Sequence, residues 1–478
     1  MTISPTALHE LPATFLMQAF AKRSLSPVDV MHSVVAHIER CEPILCATYL
    51  FRPELAIAQA KLSQARWNVG KPMGALDGVP VTIKENLATR GDPLPAGTAA
   101  LELVPANHDS PVAARLKEAG AIMVSKTTMP DYGMLSSGLS TFHQLSRNPW
   151  DISKGPGGSS AGAGSAAAAG YGPLHIGTDI GGSVRLPAGW CGVYGLKPSL
   201  GRVPIDPPYI GRAAGPMTRT VADAALMMQT LSIADSRDSM SLPAQVLAWD
   251  QTDCDIAQIN GLRIGLLLDA GCGMAVDPRI IVAIQNAAKL FETAGAIVEP
   301  MAPFMTAAML DGVDHFFRMR SCIDMDNLSV DARAKVLPFI REWALSASGY
   351  SGRQVFNAGA QPYHLRVAAV RACEAFDYVI SPVAPVMAFR AENASPSNDP
   401  MKALEHIGFT LPANMSEQPA ASINCGYAMS ESGKPLPIGL QIMGKRFDDI
   451  GVLKVSSAFE KMRSLQLPWP VQFEPVKF

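Results

Sequence analysis

No run of about 18 apolar residues interrupts the 478-residue sequence, so no membrane-spanning helix is expected. No basic block interleaved with aromatics occurs, and the net charge is −2, which removes the electrostatic footprint of a nucleic-acid binder. Charge is scarce at 17% against 48% hydrophobic residues, a balance that excludes disorder and allows a large buried core. Cysteine is sparse too: eight residues, at 41, 46, 191, 254, 272, 322, 373 and 425. None forms C-x-x-C and none stands at metal-ligand spacing from a histidine, so reduced thiols and no metal are expected. The N-terminal MTISPTALHELPATFLMQAFAKRSLSP lacks the cationic start and apolar core of a secretion signal, which makes the cytoplasm the expected location. No fixed-period repeat is present.

What is there alternates helix and strand. In SPVDVMHSVVAHIER, Ser26 is an N-cap candidate, Pro27 opens the helix, and Met31, Val34, Val35 and Ile38 share one face. ELAIAQAKLSQARW reads as a second helix. LDGVPVTIKEN is a β-branched run whose Pro80 predicts an edge strand, a bulged strand or one reached through a turn. SPVAARLKEAG, capped by Ser110 and Pro111, then AIMVSK, has the form of an αβ unit, and GLRIGLLLD, DPRIIVAIQNAAKLFETAG and AIVEP repeat it. FDYVISPV and LPIGLQIMG read as buried strands, and DDIGVLKVSSAFEKMR as a closing helix. The pattern predicts an α/β fold with a large mixed sheet covered by helices on both faces. One domain over 1–478 is expected: N-terminal helices at about 8–68, a core at about 76–230, a helical elaboration at about 300–375, and C-terminal strands and helix at about 376–465.

Residues 155–185, GPGGSSAGAGSAAAAGYGPLHIGTDIGGSVR, concentrate glycine and serine around one acidic residue, Asp179. Such a run is often only a linker. A phosphate loop fails, because neither G-K-[ST] nor G-x-G-x-x-G after a strand occurs. Gly158 to Gly162 satisfies G-x-S-x-G, but that match means little in so biased a run, and the preceding SRNPWDISKGPG is loop-like rather than a strand. A third reading joins serines to Lys84. A strand lysine led inward loses its charge through desolvation and becomes a competent base, whereas one on an edge is simply solvated. Ser183, preceded by two glycines, offers a hydroxyl beside unobstructed backbone N–H groups, or it is an ordinary Gly-Gly-Ser turn.

Taken together, DGVPVTIKEN, PGGSSAGAGSAAAAG, GTDIGGSVRLPAGWCGVYGLKPSLGRVP, GPMTRTVADAA and the late EQPAASINCG…LPIGLQIMG resemble the amidase signature family, in the family's order, from Leu76 to Gly444. Lys84 and Ser159 are 75 residues apart, and Ser159 and Ser183 are 24 apart, which fits that family's Lys–Ser–Ser triad. The family commonly has G-G-S-S-G-G, where this chain carries Ala161 after Ser160. The resemblance implies Ser183 as nucleophile, Ser159 as bridging serine after a cis peptide, and Lys84 as base, with the N–H groups of Ile180, Gly181, Gly182 and Ser183 as oxyanion donors. Gly157 and Gly158 would allow the turn, while Thr178, Asp179 and Arg185 would support the loop. No cofactor is implied.

The family hydrolyses aliphatic and aryl amides, peptide amides, hydrazides, ureas and carbamates, and includes the glutaminase subunit of a tRNA-dependent amidotransferase. The segments 205–212 and about 301–320 carry Pro207, Pro208, Tyr209, Ile210, Phe304, Met305, Phe316 and Phe317, with charged residues of mixed sign. Tyr209, Ile210, Phe316 and Phe317 are therefore the expected substrate contacts. The expected substrate is a small neutral amide with an apolar or aromatic group, extending to anilides and aryl carbamates. A monomer or homodimer without nucleic-acid or membrane partners is expected, and the glutaminase of the amidotransferase complex is the alternative.

Overall fold

The computed structural model describes residues 5–464 and 466–470. The two ends of the expected 1–478 span, and residue 465 at the end of the expected C-terminal segment, lie outside the described residues.

One sheet of 11 strands organises the chain. In sequence the strands are β1 Thr48–Tyr49, β2 Pro80–Lys84, β3 Ile122–Thr127, β4 Leu174–Asp179, β5 Tyr194–Lys197, β6 Ala213–Thr218, β7 Arg263–Leu266, β8 Ile297–Pro300, β9 Tyr378–Pro382, β10 Ala420–Met429 and β11 Pro435–Met443. Their spatial order is β1-β3-β2-β4-β6-β5-β10-β11-β9-β7-β8. β2 runs parallel to both β3 and β4, and β7 runs parallel to β8 and β9. The remaining pairings are antiparallel. The sheet is therefore mixed.

Helices cover both faces. Successive strand residues point to opposite sides. On β10, Ala421 and Ile423 join the core containing Ile284, Phe291, Leu453 and Phe459. Ser422, between them, faces the other way, toward Gly189 in the helix Arg185–Cys191, where Gly439 of β11 also packs. The caps act as the sequence implies. The Ser26 hydroxyl accepts from the Val28 N–H at 3.0 Å and the Ser110 hydroxyl from the Ala113 N–H at 3.3 Å, each with proline opening the helix. Residues after β8 form the helices Ala307–Asp326, Val330–Ala334, Pro338–Leu345 and Gly352–Cys373.

β2 departs from one expectation. It is an interior strand, not an edge. Pro80 is its first residue, where a missing N–H costs least, and the register against β3 slips between Val81 and Thr82. The bulge was legible; the central position was not. No helix among the described residues is long and apolar enough to cross a membrane.

Candidate active site

Two neighbouring parallel strands end side by side. β2 delivers Lys84, and β4 delivers Thr178 and Asp179. The helix Ala161–Ala169 starts directly after Ser159 and Ser160, with Ala161 as its first residue. Two glycines let the chain enter here. Gly157 has φ +86°, and a Cβ on Gly158 would sit 2.6 Å from the Ser137 carbonyl oxygen and 2.7 Å from the Ser137 nitrogen. The Gly158–Ser159 peptide is cis.

Lys84 is completely buried. Its Nζ donates to Ser159 Oγ at 2.8 Å, Thr178 Oγ1 at 3.0 Å and Ser160 Oγ at 3.1 Å. All three partners are hydroxyls, and no carboxylate pairs with it among the described residues. Burial holds its pKa well below the ordinary lysine value, and the Arg212 charge adds to that, while Asp179 and Glu85 oppose it. Ser160 is tied into the scaffold: its hydroxyl donates to the Thr178 carbonyl at 3.1 Å and accepts from the Thr178 N–H at 3.2 Å.

Ser159 and Ser183 line one cavity of about 390 Å³. The Ser183 hydroxyl has no hydrogen-bond partner among the described residues, and no hydrogen bond joins it to Ser159. No histidine lines this cavity. Buried His175, with its pKa lowered to about 3 by desolvation, is occupied by Thr82 and the Gly172 carbonyl.

The loop between them is built around Asp179. Its carboxylate, fully buried, accepts from the Gly182 N–H at 2.7 Å and the Val184 N–H at 3.1 Å. It accepts also from Arg185 Nε and Nη2, each at 3.0 Å, and Asn414 Nδ2 at 2.9 Å. Burial pushes this carboxyl up, but the Arg185 guanidinium and the Arg185 and Asn414 hydrogen bonds overcome it and hold it well below the usual range. Arg185 is itself completely buried and reaches Thr410 O at 2.8 Å, Gln441 Oε1 at 2.7 Å and Asn414 Oδ1 at 2.6 Å. Asp179 and Arg185 thus form a buried bracket.

That bracket corrects one expectation. The Gly182 N–H belongs to Asp179 and is not free to receive an oxyanion. The N–H groups of Ile180, Gly181 and Ser183 have no partner among the described residues. An aspartate side chain can cap backbone N–H groups two or three residues ahead of it, which was the signal in the sequence.

The outer wall also differs from expectation. Tyr209 lines the cavity, but Ile210, Phe316 and Phe317 do not. Phe317 is buried in the apolar cluster behind the wall, with Leu310, Val313 and Trp343, and Phe316 packs against that cluster, as do the cavity-lining Tyr132, Met134, Ile180 and Tyr209. On the helix Ala307–Asp326 it is Arg320 and Asp324, not the phenylalanines, that face the cavity. Sequence reasoning also missed Tyr132, which lines the cavity at φ 52° with its buried hydroxyl unpartnered. The neighbouring Asp131 fixes it by accepting from Thr141 and from the Leu337 N–H.

The family model "Amidase" matches residues 29–453. The chain belongs to the amidase signature family and is, at that level, a hydrolase of C–N bonds. It is 31% identical to a glutamyl-tRNA(Gln) amidotransferase subunit of Picosynechococcus sp., over 93% of this chain and 96% of that protein. It is 32% identical to the corresponding protein of Myxococcus xanthus, over 95% and 97%. A bacterial aryl acylamidase of the family superposes with a TM-score of 0.85 at 28% identity, covering 95% of this chain and 96% of that one.

Proposed function

We propose that the protein is a serine amidohydrolase in which Ser183 attacks the carbonyl, Ser159 relays the proton and Lys84, neutral, receives it. The observation that carries this reading is a buried lysine with only hydroxyl partners, 2.8 Å from a serine that shares a cavity with a second, unpartnered serine. A free hydroxyl needs a base within reach to become a nucleophile. The relay requires the two serine hydroxyls to meet when substrate fills the cavity, a contact that often tightens only on binding. The N–H groups of Ile180, Gly181 and Ser183 would receive the oxyanion, each worth roughly 3–4 kcal/mol by analogy with a removed donor elsewhere. Ser159 then passes the proton to the leaving nitrogen, and water cleaves the acyl-enzyme.

Leu94, Met129, Met134, Pro207 and Tyr209 on the cavity wall support an amide with an apolar or aryl portion. An aryl carbamate differs only by an ester oxygen beside the carbonyl, so the same wall would accept it. The curated relatives favour a second reading, the glutaminase subunit of a tRNA-dependent amidotransferase. A comparison of kcat/KM for an anilide, an aryl carbamate and free glutamine, with and without the partner subunits and tRNA, separates the two. Preference for the anilide or carbamate is expected, and a tenfold preference for glutamine would replace this reading with the second.

A further inference from the structure

The charges along the two segments near the cavity look balanced in sequence, but folding sorts them. Asp314 pairs with Arg318, whose Nε lies 2.7 Å from Oδ2, and accepts from Trp343 Nε1 at 2.9 Å. Asp206 contacts His108 at 3.0 Å rather than Arg212, on which it acts only through space. Arg212 and Arg320 are left without an ion-pair partner among the described residues, and both line the cavity that holds Ser159 and Ser183. Among the described residues the Arg212 guanidinium donates only a long hydrogen bond, 3.4 Å to the Pro207 carbonyl. Arg320 reaches the Met134 thioether, and its buried Nε has no acceptor.

Aromatic rings hold Arg320 in place. Its guanidinium carbon lies 5.2 Å from the Tyr209 ring centre and 5.6 Å from that of Phe317. Such stacking positions a cation and leaves its edge donors free. Tyr209 is three residues from Arg212 on one loop, and its carbonyl accepts from the Arg212 N–H at 3.1 Å. Asp324 lines the cavity one helical turn beyond Arg320 but forms no ion pair with it, and burial pushes its carboxyl up. Asp206 acts on Arg212 and Asp324 on Arg320 through space, but neither guanidinium has a carboxylate within ion-pair distance among the described residues. Partly desolvated guanidiniums without a direct ion pair keep their forked donors open, and a planar oxyanion is the group those donors fit. Arg212, with its pKa lowered to about 10 by burial, stays protonated at neutral pH.

We infer that Arg212 and Arg320 form an anion subsite, and that the preferred substrate is an amide carrying a carboxylate beyond its apolar portion. This rests on the reading of Ser183, Ser159 and Lys84 as the reacting centre, and it changes the expected substrate from neutral to anionic.

The test is calorimetric titration of benzoate and of benzamide into the wild-type protein and the variants Arg212→Gln, Arg320→Gln, Arg320→Lys and the double glutamine variant, each checked for cooperative unfolding. The wild type is expected to bind benzoate at least tenfold more tightly than benzamide. Each single glutamine variant should lower that ratio, the double variant should bring it to about one, and Arg320→Lys should keep part of it. Benzoate binding no tighter than benzamide in the wild type, undetectable binding included, overturns the proposal. So does a preference that survives in the folded double variant. Because binding needs no turnover, a retained benzoate preference without amide hydrolysis refutes the catalytic reading alone. Hydrolysis of neutral amides without that preference refutes the subsite alone.

Discussion

Replacing Asp179 by asparagine keeps the shape of the side chain and removes its charge. The consequences follow from what its carboxylate holds: the N–H groups of Gly182 and Val184, two guanidinium nitrogens of Arg185 and the Asn414 amide, with neither Asp179 nor Arg185 exposed. Removing one member of a buried pair leaves the other uncompensated and costs about 3–5 kcal/mol. Equilibrium unfolding in urea, followed by tryptophan fluorescence, should show a lower midpoint with an unchanged m-value. Activity should fall further than stability explains. Releasing the Gly182 N–H frees the loop that carries the Ile180, Gly181 and Ser183 donors, and misplacing one donor costs about 10²-fold or more in kcat. The double variant Asp179→Leu/Arg185→Met buries no charge and should recover part of the stability but none of the activity. The carboxyl is depressed in the folded state, so its contribution is complete above the unfolded aspartate pKa of about 3.9 and is lost as pH falls below that. An Asp179→Asn protein within about 1 kcal/mol of wild type that keeps its kcat would refute the bracket.

Other perturbations reach the same site from different sides. The rate should rise with pH through a limb below the ordinary lysine value of 10.5, because only neutral Lys84 accepts a proton, and Lys84→Ala should lose most turnover at every pH; an active Lys84→Ala enzyme with a histidine-like midpoint would exclude the relay. Arg212 lowers the Lys84 pKa, so Arg212→Gln should move that limb to higher pH, and a fixed or downward-shifted limb in a kcat profile would count against the coupling. Ser183→Ala should abolish turnover with the unfolding transition intact, whereas wild-type activity in Ser183→Ala and none in Ser160→Ala would move the nucleophile to the G-x-S-x-G match.

The alternation of strand and helix and the caps at Ser26 and Ser110 were legible because each is written locally, in periodicity or in a cap; motifs likewise singled out Lys84, Ser159 and Ser183, of which folding brings the Lys84 amine to the Ser159 hydroxyl and the two serines to one cavity. What joins distant segments was not legible. Pro80 read alone leaves an edge strand, a bulged strand or one reached through a turn open, and only the sheet shows that it starts a central, bulged strand. The segments that hold Arg212 and Arg320 read as mixed in sign, because sequence proximity does not say that Asp314 pairs with Arg318 and that Asp206 contacts His108 rather than Arg212. The phenylalanines beside Arg320 looked like a pocket wall, yet helical geometry turns Phe317 into the apolar cluster behind that wall and leaves Arg320 and Asp324, four residues apart, on the cavity side. Asn414 and Gln441, which complete the Arg185 bracket, sit in or near the late strands and carry no local signature of that role.

The nucleophile can be trapped directly. Incubation with a slowly released aryl carbamate, then tryptic digestion and fragmentation mass spectrometry, interrogates one peptide, Gly155–Arg185, which carries Ser159, Ser160 and Ser183 together, so the fragment ions must place the adduct. The account predicts a single carbamoyl group on Ser183, absent from Ser183→Ala; the same group on Ser159 or Ser160 in the wild-type protein would contradict it.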